Sequence, residues 1–317
     1  MLHPRESGAA AIGVYRGPVT VAQGAEMGEG AGPRLSLRLR GVRPSLSPAE
    51  DRVAERVLAD PQGTASLTIS ELAAAASTSE TTVLRFCRRL GLAGYPQLRL
   101  ALAAEAASPR AREAPVSDIS PDDTLDDVIH KVAYAEACAI EETAEQLDRR
   151  VLDEVARAVA GARSVAVYGH GASALVASDL QQKLQRIGIL AAASGDPHLA
   201  LVGAALLRPD DVAIAFSHSG TTAETIEELT VAGGRGATTV AVTNFPLSPL
   251  ARAADHVLTT AARETVIRAG ATASRTAALM VGDCLYLAVA HRDIESAQDA
   301  VSSTRAAVAT HRVAESD

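Results

Sequence analysis

The chain's 317 residues, 47% hydrophobic and 21% charged, are enough for two compact domains and exclude wholesale disorder. Its three cysteines lie far apart, no apolar run reaches eighteen residues and the opening residues lack a signal-peptide pattern, so a disulfide framework, a membrane span and secretion are disfavoured and a reducing cytoplasm is expected. The net charge of −8 hides a split: residues 34–112 carry 12 Arg against 7 Asp and Glu, residues 113–317 carry 16 Lys and Arg against 28 Asp and Glu, and only the first segment suits a polyanion.

Residues 1–33, rich in Gly and Ala and without amphipathic period, are expected to form a disordered leader, with Met27 as an alternative translation start. Residues 34–107 follow as a helical unit. Ser47-Pro48-Ala49-Glu50 is a capping box with Pro at the first helical position, where its missing N–H costs nothing. Val53, Val57 and Leu58 then recur at helical spacing. A second capping box, Thr68-Ile69-Ser70-Glu71, opens a helix that reaches Ala76. After the polar break Ser77-Thr78-Ser79 the spacing predicts a helix over Glu80–Leu90, capped by Ser79 or Ser77 and stopped by Gly91. Val83, Leu84, Cys87 and Leu90 make its apolar face, with Arg85, Arg88 and Arg89 mainly off it. Gly94-Tyr95-Pro96 turns the chain into a helix from Gln97 to Ala107, and residues 108–124, with three Pro and several charges, read as a linker.

The two helices across 68–90, joined by a tight polar turn, are a helix-turn-helix candidate. DNA's major groove admits one α-helix, and residues near its N-terminus reach base edges. Here these are Glu80, Thr81, Thr82 and Arg85. Glu accepts from cytosine N4, Thr bonds a base or meets a thymine methyl, and Arg takes guanine bidentately. Ser79, Arg88 and Arg89 suit phosphates. An ordinary helical hairpin with solvated arginines has the same spacing. The LSPAE opening, the ISELA helix, the TSETTVLRFCRRLG helix and the GYPQL turn, within residues 46–102, resemble the N-terminal domain of RpiR/MurR-type transcriptional regulators. The resemblance implies a double-stranded DNA operator as partner.

Helical patterns at 125–147 and 149–160 lead into a different rhythm. Ser164–Tyr168, Ile189–Ala193, Asp211–Phe216, Thr239–Thr243 and His256–Thr260 read as short buried strands. Helices are expected near 173–187, 197–206, 222–234, 248–253 and 274–291. Near-continuous apolar strands alternating with helices predict an α/β domain over 125–295, a parallel five-stranded sheet with helices on both faces, followed by a tail over 296–317.

The first strand runs into Gly169-His170-Gly171-Ala172-Ser173, where glycines permit a tight turn and close backbone approach to a ligand. With Ala174 this fits the G-x-G-x-x-A dinucleotide pattern, but the acidic residue that pattern requires, Asp196, comes late and after a Gly. The loop after the third strand, Ser217-His218-Ser219-Gly220-Thr221-Thr222, sets four hydroxyls and a Gly at the mouth of a helix, a natural anion site. A plain helix cap would need one hydroxyl. These features, the NFPLSPLARAADHVL stretch and the Ser274-Arg275…Asp283 segment resemble a SIS (sugar isomerase) domain over roughly residues 150–292. That resemblance implies a phosphosugar held through its phosphate by Ser173, Ser217, Ser219 and Thr222. Gly171, His218 and Thr221 are secondary candidates, and Glu264 is placed to face the sugar.

Two domains are therefore expected, an all-α helix-turn-helix unit and an α/β SIS unit. The pairing implies a cytoplasmic transcriptional regulator of carbohydrate genes, a homodimer or homotetramer that senses a phosphosugar. No cofactor, metal or catalytic residue is assigned. The rival readings are a sugar-phosphate isomerase, with His170, His218, Glu224 and Glu264 as available bases, and a dinucleotide-sensing regulator.

Overall fold

A computed structural model describes residues 34–107, 118–264 and 271–309; the leader, linker residues 108–117 and the end of the tail lie outside them. The N-terminal unit contains helices α1 (Leu35–Val42), α2 (Pro48–Ala59), α3 (Pro61–Ser66), α4 (Ile69–Ala75), α5 (Glu80–Arg89) and α6 (Tyr95–Ala107). Both capping boxes form: Ser47 and Glu50 close the start of α2, Thr68 and Glu71 that of α4. Ser79 caps α5 by accepting from the Thr82 N–H, and Gly91 stands just past its end at φ +69°. The sequence reading missed α1 and α3. The first is too short and alternating to carry a helical stripe; the second depends on Asp60, whose carboxylate accepts the Gly63 N–H.

One apolar core joins these helices, built from Leu35, Leu39, Val53, Val57, Leu72, Val83, Phe86, Cys87, Leu90, Leu98 and Leu102 among others. The face of α5 differs from the expected one. Phe86 is fully buried, whereas Leu84, placed on the apolar face by its spacing, is 37% exposed. Helical residues at 83, 86, 87 and 90 form one continuous stripe, and Leu84 lies a step outside it.

The second unit begins with α7 (Leu125–Gln146) and α8 (Arg149–Ala160). There follow β1 (Val165–Gly169), α9 (Ala172–Arg186), β2 (Ala191–Ser194), α10 (Pro197–Ala204), β3 (Val212–Phe216), α11 (Ala223–Gly234), β4 (Thr238–Thr243), α12 (Pro249–Arg252) and β5 (His256–Thr259). Two helices, α13 (Ala273–Arg292) and α14 (Ile294–Ala307), close the described chain, so a helix spans the expected start of the tail. All strand pairs are parallel, in the order β2-β1-β3-β4-β5.

Alternation along the strands sorts side chains by size. Val165, Val167, Ile214, Phe216, Val240, Val242 and Leu258 pack with α8, α9 and α13, while Ala213, Ala215 and Ala241 lie with α10, α11 and α12. Each face thus has its own core. Helix α13 is long and apolar enough to cross a bilayer, yet here it buries Ala277, Val281, Leu285 and Val289 and packs on α7, α8 and α9. The strand order reverses between β1 and its neighbours β2 and β3, and at such a switch point the connections leave the carboxyl ends in opposite directions and open a crevice.

Candidate functional site

The loops after β1 and β3 flank that crevice. Gly169 brings the chain close to its own next turn: a Cβ there would sit 2.6 Å from the Ser173 carbonyl oxygen. Gly171, at φ +57°, starts α9 in the left-handed region that glycine adopts without strain. In the second loop Gly220 has φ +63°, and a Cβ would lie 2.1 Å from Ser248 Oγ. The Gly220 carbonyl accepts the Leu250 N–H at 3.0 Å, and the His218 carbonyl accepts the Asn244 N–H and Thr243 Oγ1, both at 3.1 Å. The loop is thereby fastened to the segment after β4.

Not all the nominated hydroxyls face the same way. Ser173, Ser217 and His218 line one pocket, with room for water-sized groups over about 40 Å³, several times the roughly 10–15 Å³ that one water needs. Ser217 Oγ also accepts the Gly220 N–H and lies 3.1 Å from Thr222 Oγ1, so Thr222 supports Ser217 from behind. Ser219 and Thr221 are exposed and outside that lining, their hydroxyls 2.8 Å apart. Gly171 is exposed at the start of α9. Glu264 caps α13 by accepting the Ser274 N–H at 2.7 Å, and its Oε2 is buried. Burial draws the His218 imidazole's pKa down against the pull of Glu264, which favours the neutral ring at neutral pH. That ring stands edge-on to Phe245 at 5.6 Å.

Four polar residues of the pocket, Thr243, Thr260, Ser274 and Arg275, were not nominated as binding residues, although Ser274 and Arg275 belong to the segment that resembles the SIS domain. Arg275 is the only permanently charged cation among the described lining residues. It arrives on α13, far along the chain, and no local spacing connects it to the serine loop. A second polar group lies under the β1 loop. His170 Nε2 is 2.9 Å from Glu228, whose carboxylate is wholly buried and whose pKa burial raises despite that bond. Asp196, the acid weighed for a dinucleotide, instead caps α10 by accepting the Leu199 N–H at 3.0 Å.

In the helical unit α4 and α5 are joined by a turn in which Ser77 has φ +48°. Arg52 of α2 holds it, donating to the carbonyls of Ala76 and Ser77 at 3.0 and 2.9 Å. Arg85 donates from Nε to Glu50 at 2.9 Å, and Glu50 is 1% exposed. Although burial pushes that carboxyl's pKa up, hydrogen bonds from Ser47 and Arg85 hold it below the ordinary value. Thr82 is buried with its hydroxyl 3.1 Å from Ser79, and Glu80 accepts from Ser70 Oγ at 2.5 Å. Thr81, Arg88 and Arg89 are exposed.

Among the described residues, the contact between the two units includes a buried carboxylate. Glu142 of α7 pairs with Arg263 from the strap after β5 and, at 3.5 Å each, with Arg34 and Arg40 at α1. Arg34 also bonds Glu145 at 3.1 Å. Arg263 and Glu264 are consecutive, and Glu264 accepts the N–H of Ser274, a pocket residue, so the strap runs from the contact to the pocket's edge.

Comparison with known proteins places these features together. The family model "Helix-turn-helix domain, rpiR family" matches residues 35–109, and "SIS domain" matches residues 158–288. The chain is 39% identical to an HTH-type transcriptional regulator of Caldanaerobacter subterraneus, over 80% of this chain and 89% of that protein. It is 34% identical to the HTH-type transcriptional regulator YbbH of Bacillus subtilis, over 87% and 97% respectively. Among solved structures it is similar to the Vibrio vulnificus NanR protein complexed with ManNAc-6P, at 30% identity and a TM-score of 0.57, covering 88% of this chain and all of that one.

Proposed function

The chain belongs to the RpiR family of helix-turn-helix transcriptional regulators with a SIS domain, and from that premise we propose that it binds an operator through α4 and α5 and senses a sugar phosphate in the pocket between β1 and β3. The observation that carries the sensor reading is the convergence of Ser173, Ser217 and Arg275 on one pocket at the carboxyl ends of β1 and β3. Hydroxyl donors, the start of α9 and a guanidinium suit a phosphate dianion. The likeness to NanR, a protein solved with ManNAc-6P, supports a phosphorylated sugar as ligand class. Ser219, Thr221 and Thr222 complete the loop that closes on it, the Gly171 backbone contributes at the start of α9, and His218 and Glu264 approach the sugar.

On the DNA side Thr81 and Arg85 face base edges, with Glu80 and Thr82 shaping the start of α5. Ser79, Arg88 and Arg89 reach phosphates. The protein acts as a homodimer or homotetramer on a palindromic operator, because half-site spacing mirrors a two-fold axis. It works in the cytoplasm, where the operator is, and regulates carbohydrate genes without turning the sugar over. The sugar phosphate changes operator affinity through the 261–264 strap and Glu142, a coupling of the usual size, about 1–3 kcal/mol.

A thermal-shift panel of sugar phosphates, followed by gel-shift titration, tests this. One or more ligands are expected to raise the melting temperature and change operator affinity. Ser217→Ala is expected to weaken that ligand about 10–100-fold, as one charge-assisted bond is lost. A panel with no response, or a converted sugar in the incubation, overturns the sensor reading.

A further inference from the structure

The outward row of α5 contains one residue that the polar candidates do not account for. Positions three and four apart share a helix face, and on this helix the exposed row runs Thr81, Leu84, Arg85, Arg88. Thr82, with Val83, Phe86 and Cys87, points into the core. The Glu80 carboxylate is engaged by Ser70, and Arg85 is anchored by its Nε to Glu50. Leu84, 37% exposed, therefore lies on the outward side between a hydroxyl and two guanidinium groups, at the fifth residue of the second helix of the motif.

Single exposed leucines are common on protein surfaces and exposure alone argues nothing. The row does. In this motif the first turns of the second helix face base edges, and the apolar group that base edges display in the major groove is the thymine 5-methyl. The buried stripe of Val83, Phe86 and Cys87 turns Leu84 outward, and the ion pair from the neighbouring Arg85 to the buried Glu50 ties the same stretch of α5 to α2.

Resting on the DNA-binding reading, we propose that Leu84 is a specificity-determining residue that packs on a thymine methyl in each half-site. The contact is apolar and needs no ordered partner in the free protein. It adds base discrimination that the polar residues of the row do not supply.

The test uses the full-length protein. Preferred sites are first selected from random duplexes, and each thymine of the best site is then replaced by uracil, which removes the methyl alone. At one symmetric position uracil is expected to weaken wild-type binding about four-fold, the weight of one buried methyl. Leu84→Ala is expected to bind the thymine and uracil duplexes alike and to lose base preference at that position. Leu84→Met, nearly equal in volume, is expected to keep the thymine preference and guards against a folding artefact. Equal losses for Leu84→Ala on thymine and uracil duplexes at every position, with thymine preference intact, overturn the proposal. Selection that enriches no sequence overturns the DNA-binding reading itself, a result distinct from the first.

Discussion

The helical unit carries its candidate contact residues on the exposed side of one helix, whereas the α/β unit carries them in loops at strand ends, and the two allot their polar residues differently. On α5 the polar groups of the first turns are partly consumed inside the protein: Thr82 is buried, Glu80 holds Ser70 and Arg85 holds Glu50. In the crevice, an internal bond leaves the hydroxyl in place, since Thr222 bonds Ser217 while Ser217 still lines the pocket. The helix is locked from beneath by polar side chains. The loop is tied down by backbone bonds at His218 and Gly220 as well as by its own hydroxyls, and Ser217 serves both the loop and the pocket.

If that contrast is right, the loop should break hardest at its backbone. Gly220→Ala combines a left-handed φ with a Cβ 2.1 Å from Ser248 Oγ, and a loss of about 2–4 kcal/mol is expected together with the response to sugar phosphates. Calorimetry and ligand-induced melting shifts check it; an unchanged melting profile would show that the loop relaxes freely. On the helical side the fastener is a charge. Glu50→Ala is expected to destabilise that unit by about 2 kcal/mol in urea unfolding, with the α/β unit unaffected.

The same carboxylate has a pH signature. Its folded pKa is lowered, so its contribution is complete above the ordinary Glu range, near pH 4.3, and fades as pH falls through the lowered value. The stability gap between wild type and Glu50→Gln should then narrow on acidification; a constant gap would remove the ion pair from the account.

A smaller effect is expected at the contact between the units. Glu142→Gln is expected to speed amide exchange in α1 about five-fold, equivalent to about 1 kcal/mol, and to leave α13 unchanged. The smallest effect belongs to Arg89→Ala. As a phosphate contact it should lower operator affinity evenly across sequences and reduce the salt slope by about one.

Much of this was legible in the residues. The capping boxes at Ser47 and Thr68 and the five apolar strands each depend on neighbours within a few positions, and each forms close to its expected bounds. The hydroxyl-rich loop was legible for the same reason, since its four hydroxyls fall within six residues. Helix α1 was not, because what it buries belongs to other helices and to Glu142. Leu84 was misplaced because 100° per residue leaves a flanking position on either side of the stripe, and Phe86 filled the core instead.

By itself the sequence determined the local order: where helices start, which strands are buried on both faces, where glycines let the chain turn. Only the tertiary structure decided the company each side chain keeps. Arg275 joins the serine loop because α13 returns across the sheet, and Arg85 is tied down because α2 presents a buried carboxylate. Short-range bonding and periodicity are written in neighbouring residues, but contacts between distant segments follow from how whole elements pack, and no local pattern encodes them.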